Sequence, residues 1–471
     1  MTDTPNRYLR QTHAFPSERR LASALAVFGG ECNPAAATAL IAGAAAMGVP
    51  AVGSDFHGPW RPRPGHWLTG ELPDLAARIN GDVGYEYLDP EMPAEDFRYV
   101  AEGRENTWAA VLTHDPAGAR EVLEALAGAG FAVGVLLVLA GPGGIVVDRL
   151  PSPASALERV RSLGSGGVPA GPPELAIAAA GLVLNEIMLA GAAGAGVDVA
   201  APRTIGFYSL HRPRRVTVAG EGPEELFAEA AATPAGEAAS FAGRDLVMVG
   251  AGALANWAVI PLAVEGPARM VIYDGDGEVA PHNINRQVLL VDGVGQGRPK
   301  ADVLAEQLAS LDPDGIYEPV ARFVRAPDDL RGLGDADALL CVPDNDEARL
   351  TCDDARRAAG VLFATAGSSA VGGQVIVRCP SDGCLRCLGL GRQVDAADDD
   401  GQSCSQVADD AVVSSNMVAA GLTISELREA LAGRTPANVR FAGDSARGNR
   451  LVRMISGTRC PHVAAAKAVA S

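Results

Sequence analysis

The sequence contains no uninterrupted hydrophobic run long enough to cross a membrane. Its longest apolar run, residues 131–147, is cut by several glycines and a proline. We therefore expect buried strands joined by a turn there, and not a membrane-spanning helix. The N-terminal residues 1–7 have no apolar core of signal-peptide length either. These absences predict a cytoplasmic protein.

Positive charge is scarce. The chain has 39 Lys and Arg against 57 Asp and Glu, which gives a formal net charge of −18. Such a chain repels the phosphates of nucleic acids and of anionic membranes, so we expect neither among its partners. With 471 residues, 48% of them hydrophobic and 20% charged, it otherwise has the composition of an ordinary globular protein of two or three domains.

The features of an exported, disulfide-linked protein are missing as well. Seven of the eight cysteines follow residue 340, in a chain without an export signal. Cysteines in a reducing compartment are more often metal ligands or reactive thiols than disulfide partners. We therefore interpret this C-terminal group as a sign of metal or thiol chemistry.

What the sequence does contain is an alternation of strand and helix patterns that occurs twice. Short apolar strands alternate with alanine-rich helices, which is typical of a mostly parallel α/β sheet covered by helices. Three segments of the first half resemble three of the second in the same order: 113–120 and 342–349, 127–131 and 357–361, 179–186 and 419–426. Chance similarity between alanine-rich helices explains any single pair, but three in one order favour a duplicated domain.

This repeat predicts the organisation of the chain. An N-terminal arm (1–20) precedes a first copy of the domain (21–220). A linker rich in Ala, Glu, Gly and Pro (221–240) leads to a second copy (241–471).

Residues 243–300 hold the most informative motif. An apolar strand leads into the glycine turn Gly250-Ala-Gly252, and a second strand ends in Asp274. The N–H groups of such a strand-to-helix turn bind phosphates, helped by the helix dipole. An acidic residue after the second strand accepts hydrogen bonds from ribose hydroxyls. This unit alone would suit an NAD-dependent dehydrogenase equally well.

Further polar residues favour an enzyme that cleaves ATP. Asn283, Arg286 and Lys300 follow the second strand, whereas a dehydrogenase needs little positive charge beyond its glycine turn. Splitting ATP requires cations that hold the triphosphate and the leaving pyrophosphate. Asp344 and Asn345 follow a later strand, where a carboxylate at the carboxyl edge of the sheet can hold Mg²⁺. Taken one at a time, Arg286 and Lys300 can be interpreted as surface charges and Asp344 as a helix cap. Taken together, these residues predict a nucleotide site.

These motifs resemble the ThiF/MoeB/HesA-type adenylyltransferase superfamily, which is related to the ubiquitin-activating enzymes. The resemblance covers most of residues 243–430 and includes the segments 366–374, 383–388 and 403–404. It implies Rossmann-like sheets and MgATP-dependent adenylation of a carboxylate, typically the C-terminal glycine of a small ubiquitin-like carrier protein. By this resemblance Asp274 binds the ribose, Asn283, Arg286 and Lys300 bind the phosphates, and Asp344 acts with Mg²⁺. The remaining nucleotide-binding residues that it implies are Gly250, Gly252, Gln287 and Asn345.

The chain departs from the superfamily pattern at two places. Ala255 replaces the third glycine, and one extra residue separates Asp274 from Asn283. We therefore expect the loop 275–282 to run differently here.

A polar cluster near the N-terminus, Arg7-Tyr-Leu-Arg10-Gln11, resembles a segment whose second arginine enters the ATP site of the partner subunit in the superfamily. Here it precedes the first copy, which has no counterpart of Asn283 or Lys300. We therefore predict two adenylation-type domains that form an intramolecular pseudo-dimer, in which a degenerate first copy supplies Arg10 to the second. A further homodimer is compatible with this arrangement. The alternative is that both arginines are simply solvated.

The cysteines after residue 380 predict a zinc site. Cys384 and Cys387 form half of a tetrahedral site. In the superfamily a second pair lies near the C-terminus, where this chain has Cys460-Pro-His462. We expect Cys384, Cys387, Cys460 and His462 to bind structural Zn²⁺, with Cys379 as an alternative to His462. The other reading is that these cysteines pack as small apolar groups.

The predicted function is thus that of an ATP-dependent adenylyltransferase, with Arg10, Arg286, Lys300, Asp344 and Cys404 as its catalytic residues. Cys404 is included because some relatives carry a nucleophilic cysteine there, although the aspartates before it oppose thiolate formation. The acyl adenylate would pass to a thiol, sulfur or amine nucleophile, with a natural-product pathway as one setting. The carboxylate would belong to a ubiquitin-like carrier protein, a peptide or a small-molecule acid. A dehydrogenase and a non-catalytic nucleotide-binding scaffold remain as alternatives.

Overall fold

The computed structural model describes residues 24–56, 58, 60, 68, 70–104, 106–131, 133–192, 203–212, 221–370, 372–388, 412–444, 448–453 and 460. Within these residues the strands form two sheets, one in each half of the chain. Helices cover both sheets, as the alternation of apolar strands and alanine-rich helices predicts.

The first sheet has seven strands in the order β3-β2-β1-β4-β5-β6-β7. These are β1 (Ala24–Phe28), β2 (Ala51–Ser54), β3 (Gly84–Tyr87), β4 (Thr107–Leu112), β5 (Gly134–Gly141), β6 (Gly144–Leu150) and β7 (Arg203–Ser209). The strands from β3 to β5 are parallel, and β6 and β7 continue the sheet in antiparallel fashion. The apolar run 131–147 therefore does form buried strands, since it contributes to the β5–β6 hairpin.

Six helices connect or follow these strands: α1 (Pro34–Met47), α2 (Leu72–Ile79), α3 (Pro93–Ala101), α4 (Pro116–Gly128), α5 (Pro153–Ser162) and α6 (Pro173–Ala192). Three of them begin with a capping side chain directly before a proline. Asn33, Asp115 and Ser152 accept hydrogen bonds from first-turn N–H groups of α1, α4 and α5. The capping side chain accepts a hydrogen bond from an N–H group that has no acceptor within the helix. Proline fits the first turn because it has no N–H group that would need an acceptor.

The two halves are joined by residues 221–244, within which lies a seventh helix, α7 (Pro223–Ala231). Its apolar residues Leu226, Phe227 and Ala230 are buried against the first sheet, in the same core as β5 and β6. The N-terminal part of the predicted linker is therefore an ordered helix that packs on the first half.

The second sheet has eight strands in the order β10-β9-β8-β11-β12-β13-β14-β15. These are β8 (Asp245–Val249), β9 (Arg269–Tyr273), β10 (Ile316–Val320), β11 (Ala338–Cys341), β12 (Leu362–Ser368), β13 (Gly372–Arg378), β14 (Val439–Asp444) and β15 (Gly448–Arg453). The strands from β10 to β12 are parallel, and the rest are antiparallel. The helices are α8 (Ala253–Glu265), α9 (Lys300–Leu311), α10 (Asp346–Ala359) and α11 (Val413–Leu431).

The two sheets share one strand order, third-second-first-fourth-fifth for the parallel strands, followed by antiparallel strands in sequence. The aligned segments 113–120 and 342–349 both follow the fourth strand of their sheet, β4 and β11. The aligned segments 179–186 and 419–426 lie in two long helices, α6 and α11. Each of these helices comes after the first antiparallel strand of its sheet, β6 or β13. The sequence similarity between the halves therefore falls on equivalent elements of the two sheets.

A single hydrophobic core joins the halves. It runs from Leu25 in the first sheet to Leu451 in the second, and includes apolar residues of α1, α6, α8 and α11. These four helices lie between the sheets, and α6 crosses α11. Each sheet has a separate core on its outer face.

Two glycines allow the central helices α6 and α11 to approach closely. A Cβ atom on Gly181 would lie 2.7 Å from the carbonyl oxygen of Ser414 in α11, and a Cβ on Gly421 would collide with the carbonyl of Glu174 in α6. If the alignment of 179–186 with 419–426 is continued, Gly181 corresponds to Gly421 and Glu174 to Ser414. The crossing is therefore two-fold symmetric in its contacts, as in an isologous dimer interface.

One helix is apolar and long enough to cross a membrane by length and composition. The window Pro173–Ala190 of α6 has a mean hydropathy of 1.5, but 89% of it is buried inside the protein. Since this helix packs against α1 and α11 between the two sheets, it is a core helix of the fold.

Buried ion pairs add specificity to the contact between the halves. Arg428 in α11 donates to Glu174 in α6 at 2.6 Å and to Glu265 at 2.5 Å. Its guanidinium also lies over the ring of Phe241. Nearby, the Tyr208 hydroxyl donates to Glu426 at 2.6 Å. The pair between Glu174 and Arg428 can form only when α6 of the first half and α11 of the second pack in this alignment.

Candidate functional site

A cleft of about 1270 Å³ opens at the carboxyl edge of the second sheet. It lies over the ends of β8, β9 and β11, where the strand order reverses direction, which is the usual ligand position in open α/β sheets. The sequence-predicted nucleotide residues all line it: Gly250, Gly252, Asp274, Asn283, Arg286, Gln287, Lys300, Asp344 and Asn345. The structure thus brings together residues from five separate segments.

The glycine turn leaves the start of α8 open to the cleft. Gly250 has a φ of 99°, a left-handed conformation that glycine adopts without strain. A Cβ there would lie 2.8 Å from the carbonyl oxygen of Val342, so the turn also needs glycine for space. The N-cap Gly252 offers no side-chain cap. The N-terminus of α8, with its positive end of the dipole, is therefore available to an anion.

Asp274 is held in place by backbone donors. Its carboxylate accepts hydrogen bonds from the N–H of Ala251 at 2.6 Å and of Asp276 at 2.8 Å. Burial raises the pKa of the Asp274 carboxyl above its ordinary value, and these hydrogen bonds and the charge of Lys300 offset part of the rise. The carboxylate is thereby fixed between the glycine turn and the cleft, in the position that the ribose interpretation requires.

The segment that follows β9 carries four buried polar side chains, those of Asn283, Asn285, Arg286 and Gln287. Asn283 ends a short 3-10 turn and is 5% exposed, and Arg286 and Gln287 are buried as well. The Arg286 guanidinium donates to the side chain of Asn285 at 3.2 Å. The Oε1 atom of Gln287 is buried and has no hydrogen-bond partner within the described residues. Buried polar atoms beside a cleft, one of them unsatisfied, fit a site that binds a polar ligand.

Lys300 occupies the first position of α9. Its ammonium lies 2.5 Å from the carboxylate of Asp276, and its side chain is 10% exposed. Sequence reasoning assigned no role to Asp276, yet this residue faces the same cleft and holds the lysine beside Asp274. The loop 275–282, where one extra residue is present, thus contributes directly to the position of Lys300.

Asp344 and Asn345 lie at the entrance of the cleft, between β11 and α10, and both side chains are exposed. Asn345 caps α10 by accepting a hydrogen bond from the N–H of Ala348 at 2.8 Å. It also lies 3.4 Å from Asp344 Oδ1. The helix cap is therefore Asn345 and not Asp344, to which the alternative interpretation assigns it, and Asp344 lines the cleft.

Asn256 is a positioning residue that sequence reasoning missed. It is fully buried in α8, donates to the carbonyl oxygens of Ala251 and Gly252, and accepts from the N–H of Leu289 at 2.9 Å. The side chain thus links the glycine turn to the segment that contains Arg286. The available signal was an asparagine within an otherwise apolar helix, where a buried amide needs partners.

Arg349 and Gln374 also line the cleft without having been predicted, and so does Arg440. Arg349 in α10 donates to the carbonyl oxygens of Pro343 and Ala366 at 2.8 and 3.2 Å, which fixes the loop that carries Asp344 to the end of β12. Arg349 and Gln374 end segments that the sequence analysis singled out, 342–349 and 366–374, but the sequence assigned no role in the cleft to either residue or to Arg440.

A second cluster consists of the thiols of Cys384, Cys387 and Cys460. Their sulfur atoms lie within 4.8 Å of one another. The Sγ atom of Cys384 is 3.6 Å from that of Cys387 and 3.4 Å from that of Cys460. Three thiols at this spacing fit the soft donor set of a zinc site. The cluster within the described residues does not include Cys379.

The knuckle between Cys384 and Cys387 is held by a fully buried ion pair. Arg356 pairs with Asp353 at 2.9 Å and donates to the carbonyl oxygen of Gly383. The Asp353 carboxylate also accepts from the N–H of Leu385. These contacts fix the loop backbone and so the direction in which its thiols point.

Several predicted residues lie outside the described part of the chain. They are Arg7 and Arg10 of the N-terminal arm, Cys404 and His462. Their proposed roles therefore rest on the sequence alone.

The corresponding place in the first half is filled by protein. Asp55 accepts hydrogen bonds from the N–H groups of Gly29 and Gly30 at 2.6 and 3.1 Å, just as Asp274 accepts from the second glycine turn. Burial raises the pKa of Asp55 in the same way. However, the Phe56 side chain packs directly onto Gly30. The Phe56 side chain thus occupies space directly beside this turn, where the second half has Gly275 after Asp274.

Comparison with known proteins agrees with the geometry of the second half. The fold and the cleft define a nucleotide-binding α/β domain. Residues 239–460 match the model of the ThiF family. The C-terminal half of the chain is thus a ThiF-family domain, homologous to E1-like adenylyltransferases.

The similar proteins cover only part of the chain. The SAMP-activating enzyme E1 of Haloferax volcanii is 32% identical over 143 residues, which are 30% of this chain and 52% of that protein. The chain thus spans about half the length of this curated relative. Among solved structures, E. coli MccB with MccA is 18% identical, with a TM-score of 0.41 over 48% of this chain and 67% of that chain. PaaA is 17% identical, with a TM-score of 0.36 over 45% and 65%.

Proposed function

We propose that the protein is an MgATP-dependent adenylyltransferase that activates the C-terminal carboxylate of a small carrier protein or peptide. The observation that carries this proposal is the set of cations and polar side chains around one glycine turn. Arg286 and Lys300 flank a helix N-terminus in a cleft of a chain whose net charge is −18. Since a dehydrogenase breaks no phosphate bond, it would not need these cations. The activity of the Haloferax relative, a SAMP-activating enzyme, is of the same class.

In the proposed reaction a carboxylate oxygen attacks the α-phosphorus of ATP in line. A bond forms between that oxygen and the phosphorus, and the bond to the bridging oxygen breaks as pyrophosphate leaves. No general base is required, because the carboxylate is ionised at neutral pH. Arg286, Lys300 and the N-terminus of α8 stabilise the charge that develops on the phosphates. Mg²⁺, held by Asp344, would neutralise charge on the phosphate oxygens.

Two hydrogen-bond acceptors of the cleft, the Asp274 carboxylate and Gln287 Oε1, would bind the nucleotide. The ribose hydroxyls would bind the carboxylate of Asp274, which the backbone already orients. Gln287 Oε1, buried and unsatisfied within the described residues, provides a further acceptor for the nucleotide or its bound water. The acyl adenylate would then pass to a thiol, sulfur or amine nucleophile. We leave Cys404 as a candidate for that thiol on the sequence argument.

We also propose that Cys384, Cys387 and Cys460 bind structural Zn²⁺, with His462 as the fourth ligand. Zinc would fix the strand that leads to Cys460 against the knuckle, and it takes no part in the adenylation step. Metal analysis of the purified protein should find about one zinc per chain, and Cys384→Ser should lose it together with thermal stability. The variant Cys352→Ser, whose thiol is buried elsewhere, should keep the metal. Full metal content in Cys384→Ser would contradict the site.

The test of the adenylation proposal is ATP–pyrophosphate exchange in the presence of Mg²⁺. The acyl substrates would be ubiquitin-like carrier proteins, peptides that end in Gly-Gly and small carboxylic acids. At least one should support exchange, and Arg286→Ala and Lys300→Ala should each reduce it about 100-fold or more. A thermal melt would show that both variants remain folded.

The matched control is Arg298→Ala. Arg298 lies two residues before Lys300, pairs with Glu306 and does not line the cleft. This variant should retain exchange. Tight NAD binding without exchange would instead indicate a dehydrogenase. Nucleotide binding with no exchange for any acyl class would favour a non-catalytic scaffold.

A further inference from the structure

The cleft extends well beyond the residues that would bind the nucleotide. The part of the cleft farthest from Asp274 is lined by residues of β12, β13 and β14, which continue the sheet beyond β11. Gly367 in β12 pairs with Gln374 in β13, which in turn pairs with Arg440 in β14. Directly paired residues share one face of a sheet. The side chains of Gln374 and Arg440 therefore lie next to each other, and both line the cleft.

The sheet geometry places Arg440 far from the phosphates. Three strand spacings separate β14 from β11, the strand that leads to Asp344, which is about 14 Å at about 4.8 Å per strand. An arginine side chain shortens this gap only in part. Arg440 therefore lies at the end of the cleft away from the predicted nucleotide residues, which in the proposed reaction is the end left for the acyl substrate.

The charge of Arg440 is not satisfied within the described part of the chain. Its side chain is exposed and lines the cleft, and it forms no hydrogen bond or ion pair with another described residue. Arg349, the neighbouring arginine, is instead bound to two carbonyl oxygens. Arg440 is also on an internal strand and not on a sheet edge. In a chain with an excess of acid, a free guanidinium at this place attracts a negative group.

We propose that Arg440, with Gln374 beside it, is a specificity-determining residue that binds an acidic side chain of the substrate, close to the carboxylate that is activated. An extended chain advances about 3.3 Å per residue, so this Asp or Glu stands about two to four residues before the C-terminus. Arg440 donates to its carboxylate as a charged, bidentate pair. The inference rests on the proposed adenylation function, and it narrows the substrate to a peptide tail with a negative charge near its end.

The test uses inert mimics of the acyl adenylate. Each probe is a short peptide that ends in glycine and is joined through its C-terminus to adenosine 5′-sulfamate. One series carries Asp at the second, third or fourth position from the end, and matched series carry Asn or Lys there. Calorimetry would measure their dissociation constants for the full-length protein. One Asp probe should bind about tenfold more tightly than its Asn counterpart, and the Lys probe most weakly.

Variants of Arg440 would show whether this residue makes the difference. Arg440→Ala should bring the Asp and Asn probes to equal affinity, and Arg440→Glu should favour the Lys probe. Glycyl adenosine sulfamate, which has no tail, should bind both variants as it binds the wild type. Arg325→Ala is the matched control, since Arg325 lines the opposite end of the same cleft. It should leave the ratio of Asp to Asn affinity unchanged.

The two proposals fail in different ways. Equal binding of the Asp, Asn and Lys probes at every position, or an Asp preference that persists in Arg440→Ala, overturns the role of Arg440. In both cases, binding of the tail-less glycyl probe leaves the adenylation proposal standing. If neither ATP nor the glycyl probe binds, the adenylation proposal fails, and the role of Arg440 fails with it.

Discussion

At the scale of single residues, the two halves hold equivalent carboxylates whose energetics can be compared directly. Asp274 and Asp55 each accept backbone hydrogen bonds from a glycine turn, and burial raises the pKa of both. A carboxyl whose pKa is raised on folding stabilises the protein below its unfolded pKa, and this contribution is lost as the pH rises through the folded value. Both residues thus reduce stability at neutral pH.

We predict that Asp274→Asn and Asp55→Asn change the pH dependence of stability in the same direction. The unfolding free energy of the wild type, relative to either variant, should fall as the pH rises above about 4, the ordinary pKa of an aspartate. Denaturant titrations at several pH values would measure it. Only Asp274→Asn should also weaken ATP binding, about 10-fold or more, because only that carboxylate faces the cleft. Equal ATP affinity in both variants would contradict the assigned role of Asp274.

Asn256 allows a second prediction at this scale. Asn256→Leu keeps the branched shape of the side chain but leaves the N–H of Leu289 buried without its partner, which should cost about 1–3 kcal/mol in unfolding free energy. Since the same side chain joins the glycine turn to the Arg286 segment, ATP binding should weaken too.

The control for this variant lies in the first half. Asn80 is similarly buried, donates to Ala45 and accepts from Asp82. Asn80→Leu should lower stability by a comparable amount and leave ATP affinity unchanged. If Asn256→Leu lowered the unfolding free energy but left ATP affinity unchanged, the positioning role of Asn256 in the site would be contradicted.

The residues of the site differ in how far sequence could reveal them. Asp274, Arg286 and Lys300 were predictable because they lie within one motif of strand, turn and helix, whose local spacing determines where they point. Gln374 and Arg440 were not, since their proximity depends on strand register. The Lys300–Asp276 pair was missed for another reason: the path of a loop with an extra residue cannot be read from its sequence.

At the scale of elements, the crossing of α6 and α11 depends on two glycines in equivalent positions. We predict that Gly421→Ala and Gly181→Ala each lower the unfolding free energy by about 1–3 kcal/mol, because a methyl group would push the helix backbones apart. Thermal or denaturant unfolding would measure the change.

Gly128→Ala is the matched control for this crossing. Gly128 is also helical, at the end of α4, and a Cβ there meets nothing within 4 Å. Alanine should therefore stabilise the protein by about 0.5–1 kcal/mol through helix propensity. A stabilising effect of alanine at Gly421 would show that the helices separate without cost.

The elements themselves were largely predictable. The alternation of apolar strands with alanine-rich helices gave the α/β class, and proline after a capping residue marked several helix starts. The packing of α6 against α11 was not accessible in this way. Both helices are buried on all sides over most of their length, so the periodicity of their residues does not show which face meets which partner.

At the scale of the whole molecule, the shared core makes the first half a structural part of the site in the second. Helix α2 of the first half carries Arg78, which pairs with Asp292 at 2.6 Å in the segment just after Arg286 and Gln287. The N-terminal arm provides a sharper test, because its arginines act on the second half only if the chain forms a pseudo-dimer.

We predict that Arg10→Ala reduces ATP–pyrophosphate exchange about 100-fold, as expected for the loss of a cation that stabilises the departing phosphates. Arg7→Ala is the control from the same arm, and it should have a small effect. Steady-state rates with saturating ATP and acyl substrate would measure both. Unchanged turnover in Arg10→Ala would exclude the contribution of the arm.

The ion pair between Glu174 and Arg428 has a consequence for how such a molecule can change. In a dimer of two identical chains, any substitution appears twice, so a new pair must fit on both sides of the axis. Here the mirror positions of Glu174 and Arg428 hold Ser414 and Met188, and the pair exists only once. A fused chain can therefore accumulate substitutions that an identical pair would have to duplicate.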